Sequence, residues 1–160
     1  MKKLLIPIAV LLAVGFVVWF LSPVQVVKRR TNKLMNTLTL EQGSGGTGRQ
    51  FNTLGLGNLL AQSVTLETPT IEQADGDHSR DALTSGFAWI AGQNGSFTKF
   101  EVVEFHTVTV DGDQARVSAT VEGVVALSTY RPADGLYEVE FDWSREDDGW
   151  RLTRAKWTDQ

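Results

Sequence analysis

The chain has 160 residues and a formal net charge of −4, and 42% of its residues are apolar. This composition is typical of a folded protein and argues against a nucleic-acid binder, because the acidic balance comes without a basic stripe along one element. The absence of cysteine excludes a disulfide, a thiolate nucleophile and a cysteine zinc site.

An uncharged apolar run extends from Leu4 to Leu21, directly after Met-Lys-Lys. In a helix, at about 1.5 Å per residue, this run reaches roughly 27 Å, which is near the thickness of the hydrocarbon core of a bilayer. A cleaved signal peptide ends in small residues, whereas Trp19-Phe20-Leu21 is bulky. The sequence therefore predicts an uncleaved, single-pass membrane anchor in residues 1–25, followed by one domain in residues 26–160.

Basic residues flank the anchor on both sides, namely Lys2 and Lys3 before it and Lys28, Arg29, Arg30 and Lys33 after it. A very short basic N-terminus normally stays inside while a large following domain is translocated, which favours an extracytoplasmic domain on the periplasmic side. The alternative is a cytoplasmic domain whose basic residues rest on anionic lipid headgroups. The simpler interpretation of the second group is a membrane stop followed by a solvated helix face.

Three helices are predicted, over Val26 to about Leu40, Arg49–Gln62 and roughly Arg80–Ala91. The first and third have apolar residues at helical spacing, and Ser79 is a suitable N-cap for the third. The second is weakened by its glycines. Between the second and third helices the sequence indicates a strand at Val64–Thr68 and a turn at Ala74–Asp77.

The segment Gly43–Gly48 matches the G-x-G-x-x-G string that cradles dinucleotide phosphates. That motif needs a strand before it, whereas a helix precedes it here. We therefore interpret the segment as a loop between helices.

The remainder of the chain is predicted to be β. Asp-Gly pairs supply the positive φ angles of tight antiparallel hairpins, and three of them separate segments rich in Val, Thr and aromatic residues. These features predict a four-strand meander, bulged and strongly curved because its strands are long. The segments are Phe97–Val110, Gln114–Tyr130, Leu136–Arg145 and Trp150–Trp157, separated at Asp111-Gly112, Asp134-Gly135 and Asp148-Gly149.

This element order resembles the nuclear transport factor 2-like superfamily, a cystatin-like α+β cone that is also used by SnoaL-like cyclases, ketosteroid isomerase and scytalone dehydratase. The resemblance covers about residues 26 to 158 and includes the ending Tyr137–Trp143 followed by Asp148–Leu152. It implies three helices packed on a curved, mostly antiparallel sheet that encloses a pocket. No active-site residue of those enzymes is matched, so the resemblance assigns no catalytic residue.

Alternation along the strands predicts which side chains face the pocket. Val117, Ala119 and Val121 should point inward, as should Tyr137, Val139, Phe141 and Trp143. Glu138, Glu140 and Asp142 should then face outward and pair with Arg116, Arg154 and Lys156. The predicted aromatic lining of the pocket is Phe87, Trp89, Phe141 and Trp143.

Glu104 and His106 lie on the more apolar face of the first long strand. Burying either without a partner is costly, so the two should face each other, water or a ligand. A carboxylate that orients a histidine is also the arrangement of a general base, which makes them the candidate catalytic pair. Because a single bulge would turn both outward, the alternative is a solvent-facing pair without a catalytic role.

No metal site and no cofactor are predicted. His78 lies beside Asp75 and Asp77, but turn chemistry explains those aspartates. Two functions remain. The first is a membrane-tethered, non-enzymatic binding or assembly module, such as an accessory subunit of a larger membrane complex that meets a protein partner or a second copy through its sheet face. The second is a SnoaL-like enzyme or small-molecule binder that acts on an apolar ligand in the cone.

Overall fold

The computed structural model describes residues 20–41, 46–68, 74–127, 131 and 133–159, and the side chains of residues 46–51 are left out of the description. The greater part of the predicted anchor, residues 4–19, lies outside these ranges together with Lys2 and Lys3. Within the described ranges, no helix is both long and apolar enough to cross a bilayer.

Three helices lie in the described ranges: α1 at Pro23–Leu38, α2 at Gly46–Gly57 and α3 at Arg80–Gly92. The Ser22 side chain caps α1 by accepting a hydrogen bond from the Gln25 amide, and Pro23 fits the first turn because its missing N–H would have no partner there. Ser79 caps α3 in the same way, as predicted.

The second helix begins and ends earlier than predicted. It takes in Gly46–Gly48, the second half of the segment that the sequence indicated as a loop, and it stops at Gly57. The chain then enters a strand at Leu60, so the end of the predicted helix, through Gln62, is β. Leu59 and Leu60 are buried in the core, which shows that packing outweighs local helical periodicity at this point.

In the part of the chain that the structure describes, six strands form one sheet in the order β2-β1-β6-β5-β4-β3. The predicted meander is confirmed, because β3 to β6 pair with successive neighbours in antiparallel fashion. β1 pairs in parallel with β6, which joins the start of the domain to its end, and β2 forms where a turn was predicted. The strands are β1 (Leu60–Glu67), β2 (Gly76–Ser79), β3 (Phe97–Asp111), β4 (Gln114–Ala126), β5 (Ala133–Glu146) and β6 (Gly149–Asp159).

Two of the three predicted hairpin turns form where expected. Gly112 and Gly149 have φ angles of 55° and 129°, which side chains with a Cβ rarely adopt. The predicted turn at Asp134-Gly135 is wrong, because both residues lie inside β5, where Gly135 pairs with Gly123. The connection between β4 and β5 lies upstream, between residues 126 and 133.

The core lies between the helices and the inner face of the sheet, as expected for the predicted α+β cone. The inward alternation predicted for β4 and β5 is confirmed, with Val117, Phe141 and Trp143 at most 4% exposed. The helices contribute Val27 and Leu34 from α1 and Phe87 from α3 to the same cluster. Burial of this continuous apolar surface is the main term that holds the helices on the sheet.

Candidate ligand cavity and the two faces of the sheet

A cavity of about 530 Å³ lies between α3, the C-terminal half of α1 and the inner face of the sheet. The helical residues that line it include Leu34, Met35 and Leu38 from α1 and Leu83, Gly86, Phe87, Trp89 and Ile90 from α3. The sheet contributes Phe100, Val121, Val125, Tyr137, Val139, Phe141, Leu152, Ala155 and Trp157. Its volume is within the range of small-molecule sites.

The lining is almost entirely apolar. Among the described lining residues none is charged, and the only polar side-chain groups are the Tyr137 hydroxyl and the indole N–H groups of Trp89 and Trp157. A charged ligand would lose its hydration without gaining a partner in such a space, whereas an uncharged apolar ligand would gain from burial. The cavity therefore suits an apolar molecule with few polar groups.

Two glycines shape this space. Gly86 lies in the middle of α3, and a Cβ built there would meet no atom within 4 Å. At Gly123 in β4 a Cβ would lie 3.2 Å from the Tyr137 ring and 3.4 Å from the Phe100 ring, so a glycine is needed for both rings to pack there. Gly86 and the α1 residues were not predicted to line the cavity, because the register of the helices against the sheet does not follow from the sequence of one strand or helix alone.

Three of the four aromatic residues that were predicted to line the cavity do so. Phe87, Trp89 and Phe141 line the cavity, and Trp89 is also 61% exposed at its edge. Trp143 is fully buried elsewhere in the core and does not line the cavity. Among the described residues, its indole N–H has no hydrogen-bond partner.

Glu104 and His106 do not face the cavity. The pairing of β3 with β4 shifts between Val102 and Glu104 and again between Phe105 and Thr107. The first bulge reverses the alternation, so Phe105 takes the inward position opposite Ala119 and Glu104 lies outside opposite Thr120. The predicted inward catalytic pair is corrected accordingly.

His106 instead joins a polar cluster on the outer face. Its Nε2 lies 2.8 Å from Thr120 Oγ1 and 3.2 Å from Glu138 Oε2, while the Thr120 hydroxyl donates to Glu138 Oε1 at 2.9 Å. The carboxylate beside His106 is thus Glu138 rather than Glu104. His106 and Glu138 are both more than a third exposed, which is typical of a solvated cross-strand pair.

The rest of the outer face carries ion pairs, and two of the three predicted basic residues, Arg116 and Arg154, pair with the predicted acidic ones. Lys156 lies 4.0 Å from Glu67 instead. Arg154 lies 2.6 Å from Glu67, 3.4 Å from Asp142 and 3.6 Å from Glu140, and Arg116 lies 2.7 Å from Asp142. The hydrogen bond from Arg154 lowers the pKa of the Glu67 carboxyl, and the same bond raises the pKa of Arg154. Both shifts favour the charged forms of Glu67 and Arg154, so their charges are accounted for by contact with each other.

The basic residues after the predicted anchor lie along α1, three of them in its first half and Lys33 in its second. The Lys28 ammonium lies 5.2 Å from the centre of the Phe105 ring, and the Arg29 guanidinium lies 3.8 Å from the centre of the Phe20 ring. Arg30 reaches the β5–β6 hairpin, where its Nη2 is 2.5 Å from the position a Cβ would take on Gly149.

The turn around His78 is held by its own hydrogen bonds. His78 Nε2 lies 2.8 Å from the Ala74 carbonyl, and Asp77 accepts from the Thr65 hydroxyl at 2.5 Å. Asp75 accepts from the Thr68 amide at 2.5 Å. In the described part of the chain, no three His, Asp or Glu side chains are grouped so as to hold a metal ion.

The sequence matches no family model and no curated protein. Solved structures are similar in fold. An NTF2-like protein from Cytophaga hutchinsonii has a TM-score of 0.66 at 12% identity, over 88% of this chain and 100% of that one. A protein from Streptomyces avermitilis, provisionally named a dehydratase of the NTF2-like family, has a TM-score of 0.62 at 17% identity, over 86% and 95% of the two chains.

The CaMKII hub of S. rosetta is also similar, with a TM-score of 0.60 at 17% identity over 87% of this chain and 98% of that one. Identities this low show the fold alone. The chain therefore has the α+β cone of the nuclear transport factor 2-like superfamily, as its element order predicted. Structures with this fold include proteins with different roles, so function has to be argued from the cavity and the surfaces of this chain.

Proposed function

We propose that this protein is a membrane-tethered, non-enzymatic binding module that holds an uncharged apolar ligand in its cone. The observation that carries the proposal is the cavity of about 530 Å³, whose described lining has no carboxylate, histidine, lysine or arginine side chain. The tether is the apolar run Leu4–Leu21, which we propose spans the membrane and leaves the domain on the extracytoplasmic side.

The chemistry of the lining favours binding over catalysis. Proton transfer needs an acid or base within hydrogen-bond reach of the ligand, and the described lining contains no histidine, carboxylate or lysine. His106 and Glu138 have the right chemistry, but they lie on the outer face of the sheet. A SnoaL-like enzyme acting in the cone would have to use the Tyr137 hydroxyl or a group outside the described lining.

We also propose that a protein partner or a second copy docks on the outer face of the sheet. Val103 and Leu136 are 59% and 46% exposed there, which gives apolar contact points among the ion pairs. Purification of the full chain in mild detergent, followed by mass measurement of the complex, tests this proposal. Recovery of a monomer without a stoichiometric partner would count against it.

The ligand proposal is tested with the full-length chain in lipid nanodiscs and the uncharged fluorophore N-phenyl-1-naphthylamine. Trp89 and Trp157 line the cavity, so energy transfer from tryptophan should saturate as the probe binds. Empty nanodiscs give the background. His106→Ala should leave the binding curve unchanged, because its side chain is outside the cavity.

A charge in the cavity supplies the discriminating variant. Leu83→Glu places a carboxylate among apolar lining residues and should weaken probe binding at least tenfold, whereas Ala88→Glu on the same helix adds the same charge at an exposed position that does not line the cavity. Equal effects of the two substitutions, or the absence of saturable binding in the unaltered protein, would refute the proposal.

A further inference from the structure

Residues 28 to 33, inside α1, carry a basic cluster, defined as Lys28, Arg29, Arg30 and Lys33. Among the described residues, no carboxylate lies within 4.0 Å of any of these four side chains. Most other described basic residues do form ion pairs, namely Lys99, Arg116, Arg131, Arg151, Arg154 and Lys156. In a chain with an acid excess, this group of uncompensated positive charges needs an explanation.

The contacts that these head groups do make are with a backbone carbonyl and an aromatic ring, neither of which carries a negative charge. The Arg29 Nη2 donates to the Phe20 carbonyl at 2.8 Å, and the Lys28 ammonium lies over the Phe105 ring. Phe20 and Leu21, beside the cluster, are 44% and 63% exposed. Exposed apolar side chains next to basic ones are typical of a surface that meets lipid headgroups.

The course of the chain brings this surface to a membrane. Phe20 is the first described residue, and the segment before it is the apolar run that begins at Leu4. Only Ser22 separates the end of that run from α1, so a run that spans the bilayer delivers the cluster to the headgroup layer. We infer that the basic cluster binds the phosphates of anionic lipids, to which guanidinium groups can donate two hydrogen bonds at once. The inference rests on the proposed membrane tether.

This contact fixes which end of the domain faces the bilayer. Arg30 lies against Gly149, so the β5–β6 hairpin is at the membrane end. Leu34 and Leu38, in the second half of α1, line the cavity, and the whole helix is about 24 Å long. The cavity therefore lies beside the second half of α1, whereas the β5–β6 hairpin lies beside the first half.

Because the chain has no cysteine, single cysteines can report the distance of each end from the lipid. Asp147→Cys labels the β5–β6 hairpin, and Asn94→Cys labels the turn after α3, near the Leu40–Thr98 bridge at the other end of α1. A fluorophore on each is measured against acceptor-labelled headgroups, with the full chain in phosphatidylcholine nanodiscs with or without about 30% phosphatidylglycerol. Energy transfer should be greater from position 147 than from position 94, should increase with the anionic lipid and should fall at about 0.5 M salt.

Arg29→Gln combined with Lys33→Gln removes two charges from the cluster. Each basic residue near an anionic surface raises the ratio of docked to undocked chains roughly fivefold, so loss of two should lower that ratio roughly 25-fold. Lys99→Gln with Arg131→Gln gives the same change of net charge far from the cluster and should have no effect on the transfer.

Two failures can be told apart. Release of the chain from vesicles by alkaline carbonate would overturn the tether and this inference together. Retention in the membrane with equal transfer in the two lipid mixtures, or an equal effect of the control pair, would overturn the lipid contact alone and leave the tether standing.

Discussion

Filling the cavity from Gly86 tests the central proposal most directly. Gly86 lies within α3, lines the cavity and has room for a Cβ, so Gly86→Leu should place an apolar side chain in space that is otherwise open to a ligand. Replacing glycine inside a helix contributes roughly 0.5–1 kcal/mol, and partial burial of a leucine side chain contributes about 1 kcal/mol more. We expect the domain to gain about 1–2 kcal/mol in stability, which corresponds to roughly 3–6 °C in Tm.

The same substitution should weaken ligand binding. The leucine side chain would displace about three ligand carbons from apolar contact, and at about 0.8 kcal/mol for each the loss is roughly 2–3 kcal/mol, or about 30- to 150-fold in Kd. Thermal unfolding followed by circular dichroism and probe titration in nanodiscs measure the two effects on one sample.

Gly92→Leu is the matched control. Gly92 ends the same helix, is exposed, does not line the cavity and also has nothing within 4 Å of an added Cβ. It should leave probe affinity unchanged. If Gly86→Leu raised Tm while affinity stayed the same, the ligand would bind elsewhere, and if Gly86→Leu lowered Tm, the space beside α3 would not be available as described.

The remaining predictions concern stability. Gly149→Ala should lower the free energy of unfolding, measured by chemical denaturation, by roughly 1–3 kcal/mol, because φ is 129° and the new Cβ would meet Arg30. Adding Arg30→Ala should recover only the steric part of that loss. Full recovery would show that the backbone at residue 149 is not strained. The pKa of Glu67 is lowered in the folded state by Arg154, so its stabilising effect is complete above the unfolded pKa near 4.5 and is lost as pH falls through the lower folded value. Glu67→Gln should therefore flatten the pH dependence of stability below about pH 4.5, and an unchanged acid transition would contradict that linkage. Trp143→Phe should change the free energy of unfolding by less than about 1 kcal/mol, because the lost apolar contacts are offset by removal of a buried indole N–H that has no partner in the described part of the chain. A loss above about 3 kcal/mol would contradict that offset.

Much of the fold follows from local patterns. Period-two alternation in β4 and β5 predicted their inward residues, and Asp-Gly pairs predicted two of the three turns in the meander. Ser79 predicted the start of α3. Each of these signals depends on a residue and its near neighbours, so a single sequence contains it.

The candidate site was less accessible to sequence reasoning. Two bulges in β3 moved Glu104 and His106 to the outer face and brought His106 to Glu138, whereas uninterrupted alternation would have kept both facing inward. A bulge arises from the fit of a long strand to its neighbour and to the helix beneath it, and no local motif in β3 marks either one.

The sequence by itself determined the order of the elements apart from β2, the antiparallel meander, the apolar inner face and the apolar run ahead of a basic segment, because all of these come from the spacing of residue types along the chain. The tertiary structure decided the parallel pairing of β1 with β6, the face on which His106 lies and the cavity beside Gly86. These features depend on how helices and sheet pack together, since that packing sets strand register and leaves or fills the space between the layers.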